Sequence, residues 1–197
     1  MQSTPIRFGS DHGALRSEDD PLLTGRGQFT DDMNAPDQAY GMFVRATACH
    51  ARIRHVDVTR ARTMPGVIAV ITGADLAADG LGAIPPVAIA VGRDGKPMVA
   101  AAMPVLAVDR IRFVGEAVAI VVADTLAQAQ DAAEHVAIEA EELGCAPDIE
   151  SALTEGAALC HDGAPGNIAL DWRDGDSAAV ESAFAKATHH AVALFLR

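Results

Sequence analysis

The chain has 197 residues and a formal charge of −12, from 27 acidic against 15 basic residues; half of it is hydrophobic but only 4% is aromatic. That length allows one domain with an extension, able to bury roughly 70% of its unfolded surface without a disulfide or metal staple. An acidic balance disfavours nucleic acid and anionic membrane surfaces, whose phosphates are held by Lys and Arg.

Cys49, Cys145 and Cys160 are odd in number and widely spaced, with no CxxC. This pattern argues against a disulfide framework and against a zinc or iron–sulfur site. Residues 1–10 are polar without an apolar run, and no stretch of ~18 or more apolar residues follows, so neither a signal peptide nor membrane insertion is expected. The expected location is cytoplasmic. With few aromatics, the interior must be built from Ala, Val, Ile and Leu, and the thin Ala side chain lets helices lie close to a sheet.

In chain order, residues 1–35 are polar and Gly-rich, with Glu18-Asp19-Asp20 ahead of Pro21, and read as an extended arm without a core of its own. Residues 40–46 alternate as a strand, with Tyr40, Met42 and Val44 on one face. A weaker strand over 53–58 turns Val56 and Val58 inward. A short helix starts at Asp57 or Thr59 and stops at Met64, since Pro65 disfavours helix at the residue before it. The β-branched run over 67–72 predicts a strand covered on both faces and closed by Gly73.

Residues 74–103 are rich in Gly and Pro and predict a surface loop or hairpin, in which Gly92-Arg93-Asp94-Gly95 turns between 87–91 and 98–102. Two short strands are expected at 105–108 and 111–114, then a fully buried strand over 117–123. Asp124 or Thr125 caps the next helix, with Thr125 and Gln128 at capping-box spacing and Leu126, Ala129, Ala133 and Val136 facing the sheet. Val136, Ile138 and Ala140 then alternate as a half-buried strand. Residues 53–72 and 111–142 thus each read strand, helix, strand, without enough similarity for a duplication. After a break at 144–148 and a loop over 152–167, Asp176 or Ser177 caps a last helix with Val180, Ala183, Phe184 and Ala187 on one face. Residues 189–196 read as a strand apolar on both faces, with no evident partner. Such an ending points to a fragment or one piece of a split subunit.

The residues offer little chemistry of their own. Gly92-Arg93-Asp94-Gly95-Lys96-Pro97 has the wrong spacing for a phosphate loop, and Pro97 stands where a hydroxyl is needed. Gly25-Arg26-Gly27 is a bare GxG in a loop before no clear helix. Cys49-His50, His55, Cys160-His161 and His189-His190 are adjacent in sequence, but neighbours on a strand point to opposite faces and do not converge on a metal. Sequence adjacency is likewise no argument for Cys49 or Cys160 as a nucleophile. Asp31-Asp32 and Glu141-Glu142 read as solvated charges.

Four blocks in order carry a family resemblance. The first runs from Arg16-Ser17-Glu18-Asp19-Asp20-Pro21-Leu22-Leu23-Thr24-Gly25-Arg26-Gly27 to Asp32. Next come Phe43-Val44-Arg45 with His50-Ala51-Arg52-Ile53, then Pro65-Gly66-Val67-Ile68-Ala69-Val70-Ile71-Thr72-Gly73-Ala74-Asp75-Leu76. The fourth is Arg112-Phe113-Val114-Gly115-Glu116-Ala117-Val118-Ala119, continuing through Asp131-Ala132-Ala133-Glu134. In this order and spacing the chain resembles the N-terminal region of the molybdopterin-binding large subunit of the xanthine dehydrogenase, aldehyde oxidase and carbon monoxide dehydrogenase superfamily. Gly175-Asp176, Ala183-Phe184-Ala185 and His189 resemble the lead into the cofactor-binding part. Residues 46–49 depart from an expected Ser-Pro turn, and 143–148 are looser than the usual Leu-Pro-rich passage.

The resemblance implies an α/β (α+β) fold: the α/β hammerhead domain, a mixed sheet with short helices behind an extended N-terminal arm. Residues 1–35 would be the arm, 36–145 the hammerhead domain, and 146–197 a linker and the truncated start of the molybdopterin-binding domain. It implies a structural and docking part of an oxidoreductase that inserts water-derived oxygen into a heterocycle, an aldehyde or CO. Molybdenum with molybdopterin cytosine dinucleotide would be that enzyme's cofactor, with iron–sulfur clusters and usually FAD on partner domains or subunits. The partners implied are the remaining molybdopterin-binding polypeptide, an iron–sulfur subunit and a flavin subunit. The family's pterin loops, substrate residues and catalytic glutamate lie beyond these positions, so no residue here is assigned as catalytic, cofactor-binding or metal-ligating. Two other readings stay open: a truncated non-functional remnant, and a free-standing binding module that reuses the domain.

Overall fold

Tyr40, Met42 and Val44 alternate with exposed Gly41, Phe43 and Arg45, and this period of two sets strand β1 (Tyr40–Arg45) with one face inward. The computed structural model describes residues 16–101 and 103–193. Two units divide the chain, Met1–Ala39 and Tyr40–Arg197.

In the first unit, the polar stretch expected to be extended carries two short local turns among its described residues. Helix α1 (Asp19–Leu23) has Asp19 and Asp20 in its first turn, where the helix dipole favours negative charge. Arg26 pairs with Asp20, and the Thr24 hydroxyl donates to the Asp20 carbonyl at 2.6 Å. A 3-10 turn covers Thr30–Asp32, closed by the Phe29 N–H donating to the Asp32 carboxylate at 2.9 Å. Such side-chain caps need no apolar periodicity, and so escape a reading based on it.

The second unit is built on two three-stranded sheets. Strand β5 (Ala117–Ala123) lies between β1 and β3 (Val67–Thr72); strand β2 (Ala51–Asp57) lies between β4 (Arg110–Ile111) and β6 (Ala137–Glu142). All four pairings are antiparallel. Both strand–helix–strand units exist, but each crosses between sheets. The connection through α2 (Thr59–Arg62) leads from β2 in one sheet to β3 in the other, and α4 (Leu126–Ala133) leads back from β5 to β6. A crossover helix between neighbours in one sheet gives parallel strands; here the two strands of each unit are never neighbours, which is why the expected mixed sheet resolves into two antiparallel ones.

Two cores follow. Ala46, Ala51, Ala107, Ile111 and Val118 form one; Val58, Ala61, Val70, Val121 and Ala132 form the other, and half-buried Val56 packs on both. The predominance of Ala and Val is what 4% aromatics requires. Strand β5 is buried as expected, with Val118, Ala119, Val121 and Ala123 fully inside. Strand β3 differs. It is an edge strand with an irregularity between Val67 and Ala69, which leaves Ile68 59% exposed, so it is not covered on both faces.

Gly73 does not end β3 in a loop but begins helix α3 (Gly73–Ala78), capped by Thr72 and Asp75. Residues 105–108 are not a strand: Leu106 and Ala107 are buried, and the Ala107 N–H donates to the Ala117 carbonyl at 2.8 Å. Only Arg110–Ile111 pairs beyond them, leaving Phe113 and Val114 exposed. The turn at 92–95 does form a short hairpin, with the Gly92 N–H to Lys96 O and Met98 N–H to Ala90 O bonds both 2.8 Å; Ala102, at its expected end, lies outside the described residues.

Helix α4 turns Ala129 and Ala132 fully inward, with Ala133 and Val136 partly buried, whereas Leu126 is 48% exposed. Small side chains at the contact let the helix sit close to the sheet, and Leu126, in the first turn, falls off that stripe. In β6 only Ile138 turns inward and Ala140 is exposed. A single turn, α5 (Ile149–Ala152), follows. Helix α6 (Ser177–Lys186) starts where expected, the Asp176 carboxylate accepting from the Ala179 N–H at 2.9 Å, but buries none of its residues. Residues 189–193 are not a strand; the rest of that expected strand lies outside the described residues, as do residues 1–15. Among the described residues no helix is long and apolar enough to cross a membrane.

Candidate functional site

A group of polar and reactive side chains lies where β2 begins and β6 ends. Ala51 is opposite Glu142, and the register runs on: the Leu143 N–H donates to the His50 carbonyl at 2.9 Å. The His50 ring then reaches Gly144, its Nδ1 2.7 Å from the carbonyl oxygen. A carbonyl only accepts, so Nδ1 carries a proton. His50 is buried, and its Nε2 has no partner. On either side of this contact stand Cys49 and Cys145, and the influence of Cys49, then burial, then Cys160, pushes the Cys145 thiol up from its ordinary acidity.

Beside them lies a charged cluster. Arg110 holds Asp162 with both terminal nitrogens, at 3.0 and 3.4 Å. This pairing lowers the Asp162 carboxyl and raises the guanidinium. Glu116 is buried and accepts the Arg112 N–H at 2.5 Å, closing the 112–116 turn on itself. Arg45 secures the same turn by donating to the Gly115 carbonyl at 2.8 Å. Burial, then the Arg112 charge, lowers the pKa of His161, against the upward pull of Glu116 and Asp162. One residue organises the loop behind: Asn167, at φ 57°, donates to the Ala152 and Ala158 carbonyls and accepts the Cys160 N–H, each at 3.0 Å.

The remaining sequence candidates are dispersed. His55 is exposed on β2, next to the irregularity between Ile53 and His55. The Nε2 of His190 lies 2.7 Å from the Phe184 carbonyl, and its ring meets Phe184 edge-on at 5.7 Å. Glu141 pairs with Arg54. Gly25 follows α1 instead of opening a helix. At 92–97 the Asp94 carboxylate caps the Lys96 N–H at 3.0 Å, so an anion of the protein's own fills the turn. An open groove of about 500 Å³ lies between this hairpin and residues 165–171, stitched by Arg93 N–H to Asp171 O at 2.9 Å and Val99 N–H to Ala169 O at 2.8 Å.

Glu116, Asn167 and the Thr72–Asp75 cap carry structural roles that sequence reasoning did not assign. Pro165-Gly166-Asn167 did hold a turn signal, since Gly and Asn tolerate left-handed backbone. Burial of Glu116 has no signal outside the Gly115-Glu116 motif. These contacts order loops and sheet ends. Among the described residues no three His, Cys, Asp or Glu side chains are placed to hold a metal ion.

Two antiparallel sheets joined by helical crossovers, with polar residues that fix the turns, define the module as an α/β fold. Residues 24–144 match the family model described as "Aldehyde oxidase and xanthine dehydrogenase, a/b hammerhead domain", and the chain belongs to that family. It is 37% identical to the nicotine 6-hydroxylase large subunit of Paenarthrobacter nicotinovorans over 91% of this chain and 21% of that protein. Against the carbon monoxide dehydrogenase large chain of Afipia carboxidovorans the identity is 34%, over 87% of this chain and 21% of that one. Among solved structures, quinoline 2-oxidoreductase from Pseudomonas putida 86 superposes with a TM-score of 0.67 at 40% identity, covering 75% of this chain and 18% of that chain. The Cu,Mo-CO dehydrogenase gives 0.71 at 32% identity, covering 89% and 22%. The chain thus spans about a fifth of the length of the relatives it matches and corresponds to their hammerhead region.

Proposed function

We propose that this chain is the N-terminal structural and docking part of a molybdenum hydroxylase large subunit. In the complete enzyme it packs against the molybdopterin-binding remainder, in a cytoplasmic assembly with iron–sulfur and flavin parts. One observation carries the reading: large apolar side chains stand in water along one continuous segment. Leu81, Ile84, Val87, Ile89, Val91 and Met103 are all at least half exposed, and α6 adds Val180 and Phe184. Large apolar side chains exposed in this number along one segment mark it as made to be covered. Acidic groups elsewhere keep the rest of the surface in water.

Molybdenum bound to a pterin would supply the redox chemistry, the protein positioning it. The residues here do not fit that group: among the described residues no three possible ligands converge, and the buried carboxylate of Glu116 closes its own turn. No catalytic step is therefore assigned to this chain. Its contribution is to hold the two sheets and to present the apolar segment.

Substitution of Val87, Ile89 and Phe184 together by Ser tests this. The variant should keep the fold, judged by an unchanged urea midpoint, and should lose association with the molybdopterin-binding part. Unchanged association would overturn the docking role.

A further inference from the structure

We infer that the outer edge of β3 is a strand-addition surface that fits β3 of a second copy of this chain, and that Arg62 and Asp75 hold it closed. The inference rests on other residues than the docking role proposed above and stands apart from it.

Among the described residues β3 pairs with β5 alone, at the edge of its sheet. Its sequence, Val67-Ile68-Ala69-Val70-Ile71-Thr72, has no charge and no proline and is β-branched everywhere but at Ala69. Short segments of this kind add to their own kind when their edge is open. A two-fold axis between two copies would set β3 antiparallel to β3 and join their two sheets into one. The other sheet does not offer this: its edge strand β6 carries Glu139, Glu141 and Glu142, which repel the same strand of another copy. β3 has no such charge of its own.

The protection comes instead from its neighbours. Residues of an antiparallel strand alternate in hydrogen bonding, so every second residue of β3 turns its N–H and C=O away from β5. Val70 and Thr72, opposite Val121 and Ala119, are two such residues, and side chains occupy their outward groups. Arg62 donates through Nη2 to the Val70 carbonyl at 3.0 Å. The Asp75 carboxylate accepts the Thr72 N–H at 2.8 Å. The two side chains stand 3.5 Å apart as an ion pair, so a cation serves the carbonyl and an anion serves the amide. An incoming strand needs both groups. It must displace charge-assisted bonds, which are stronger than the neutral backbone bonds that would replace them. Arg62 ends α2 and Asp75 lies in the first turn of α3, so the helices on either side of β3 in sequence deliver the seal. Val70 and Thr72 have their side chains buried, and β3 therefore stays in the orientation that turns these groups outward.

The test is sedimentation velocity of the full chain over a range of concentrations, with urea melts to show that each variant is folded. Arg62→Ala opens the edge on both copies and should tighten self-association at least about tenfold over the unsubstituted chain, because a competing charged hydrogen bond is removed from each. Arg62→Gln is milder on packing and too short to reach Val70, and should behave alike. Adding Ile68→Lys, at an exposed position of the same edge, should return association to the level of the unsubstituted chain. The Val70 amide should exchange more slowly in the associated form. Self-association of the folded Arg62→Gln chain no tighter than that of the unsubstituted chain, or association that survives Ile68→Lys, would overturn the assignment.

Discussion

Gly73 is pressed against the backbone of Ala107: a Cβ on Gly73 would stand 2.2 Å from the Ala107 carbonyl oxygen. Its φ is not left-handed, so closeness, not turn conformation, requires glycine here. The contact fastens the start of α3 to the segment that leads into β4. Because the obstacle is backbone, no rotamer change relieves it. Gly73→Ala should destabilise the chain by about 1–3 kcal/mol, the usual cost of forcing extra volume into a packed site, read as a lower urea midpoint with an unchanged slope.

A second prediction concerns the inward face of α4. Ala129 and Ala132 are fully buried, whereas Leu126 is about half exposed. Ala129→Leu should cost about 1–3 kcal/mol by overpacking, whereas Leu126→Gln should change stability by no more than about 0.5 kcal/mol. The opposite ranking in denaturant melts would mean that the helix is rotated from the orientation described.

The cap at the end of β3 gives a third. The Asp75 N–H donates to the Thr72 hydroxyl oxygen at 3.3 Å, and the Thr72 N–H and hydroxyl donate to the Asp75 carboxylate at 2.8 and 2.7 Å. Thr72→Ala removes the forward half of this reciprocal cap and should cost about 1 kcal/mol, measured by thermal or urea melts.

Acid sensitivity follows from the same contacts. The Thr72 hydrogen bonds hold the Asp75 carboxyl below its ordinary 3.8, and Ser151 does the same for Asp148. Below 3.8 the unfolded chain takes up these protons before the folded chain does, so stability present above that pH is lost as pH falls through the folded values. His161 adds an earlier step of the same sign: burial lowers it from 6.5, so the unfolded chain protonates first as pH drops below 6.5. Urea melts from pH 7 downward should show a first loss below 6.5 that His161→Gln removes, and a second below 3.8 that Asp75→Asn reduces.

Much of this architecture was legible from periodicity. The strands at 40–45, 67–72 and 117–123 and the Thr125 and Asp176 caps follow from alternation, β-branching and cap residues, which act locally. What escaped depends on partners remote in sequence. Edge exposure of Ile68 is decided by which strands pair; the close approach of Gly73 is decided by Ala107. The crossing of each helical connection between sheets has no local signature, hence the mixed sheet expected and the two antiparallel ones found. At the candidate site the limit was the same: His50 and Gly144 have no motif spacing, and only the β2–β6 register brings them together. Asn167 was within reach, because Pro165-Gly166-Asn167 is a turn signal, yet its three hydrogen-bond partners are not.

The most direct test of the docking role is the native mass and metal content of the complex purified through this chain from cells that express it. The account predicts that molybdenum and iron co-purify in fixed ratio with the chain, in an assembly several times its own 20.4 kDa mass. Recovery of this chain as a metal-free monomer would contradict it.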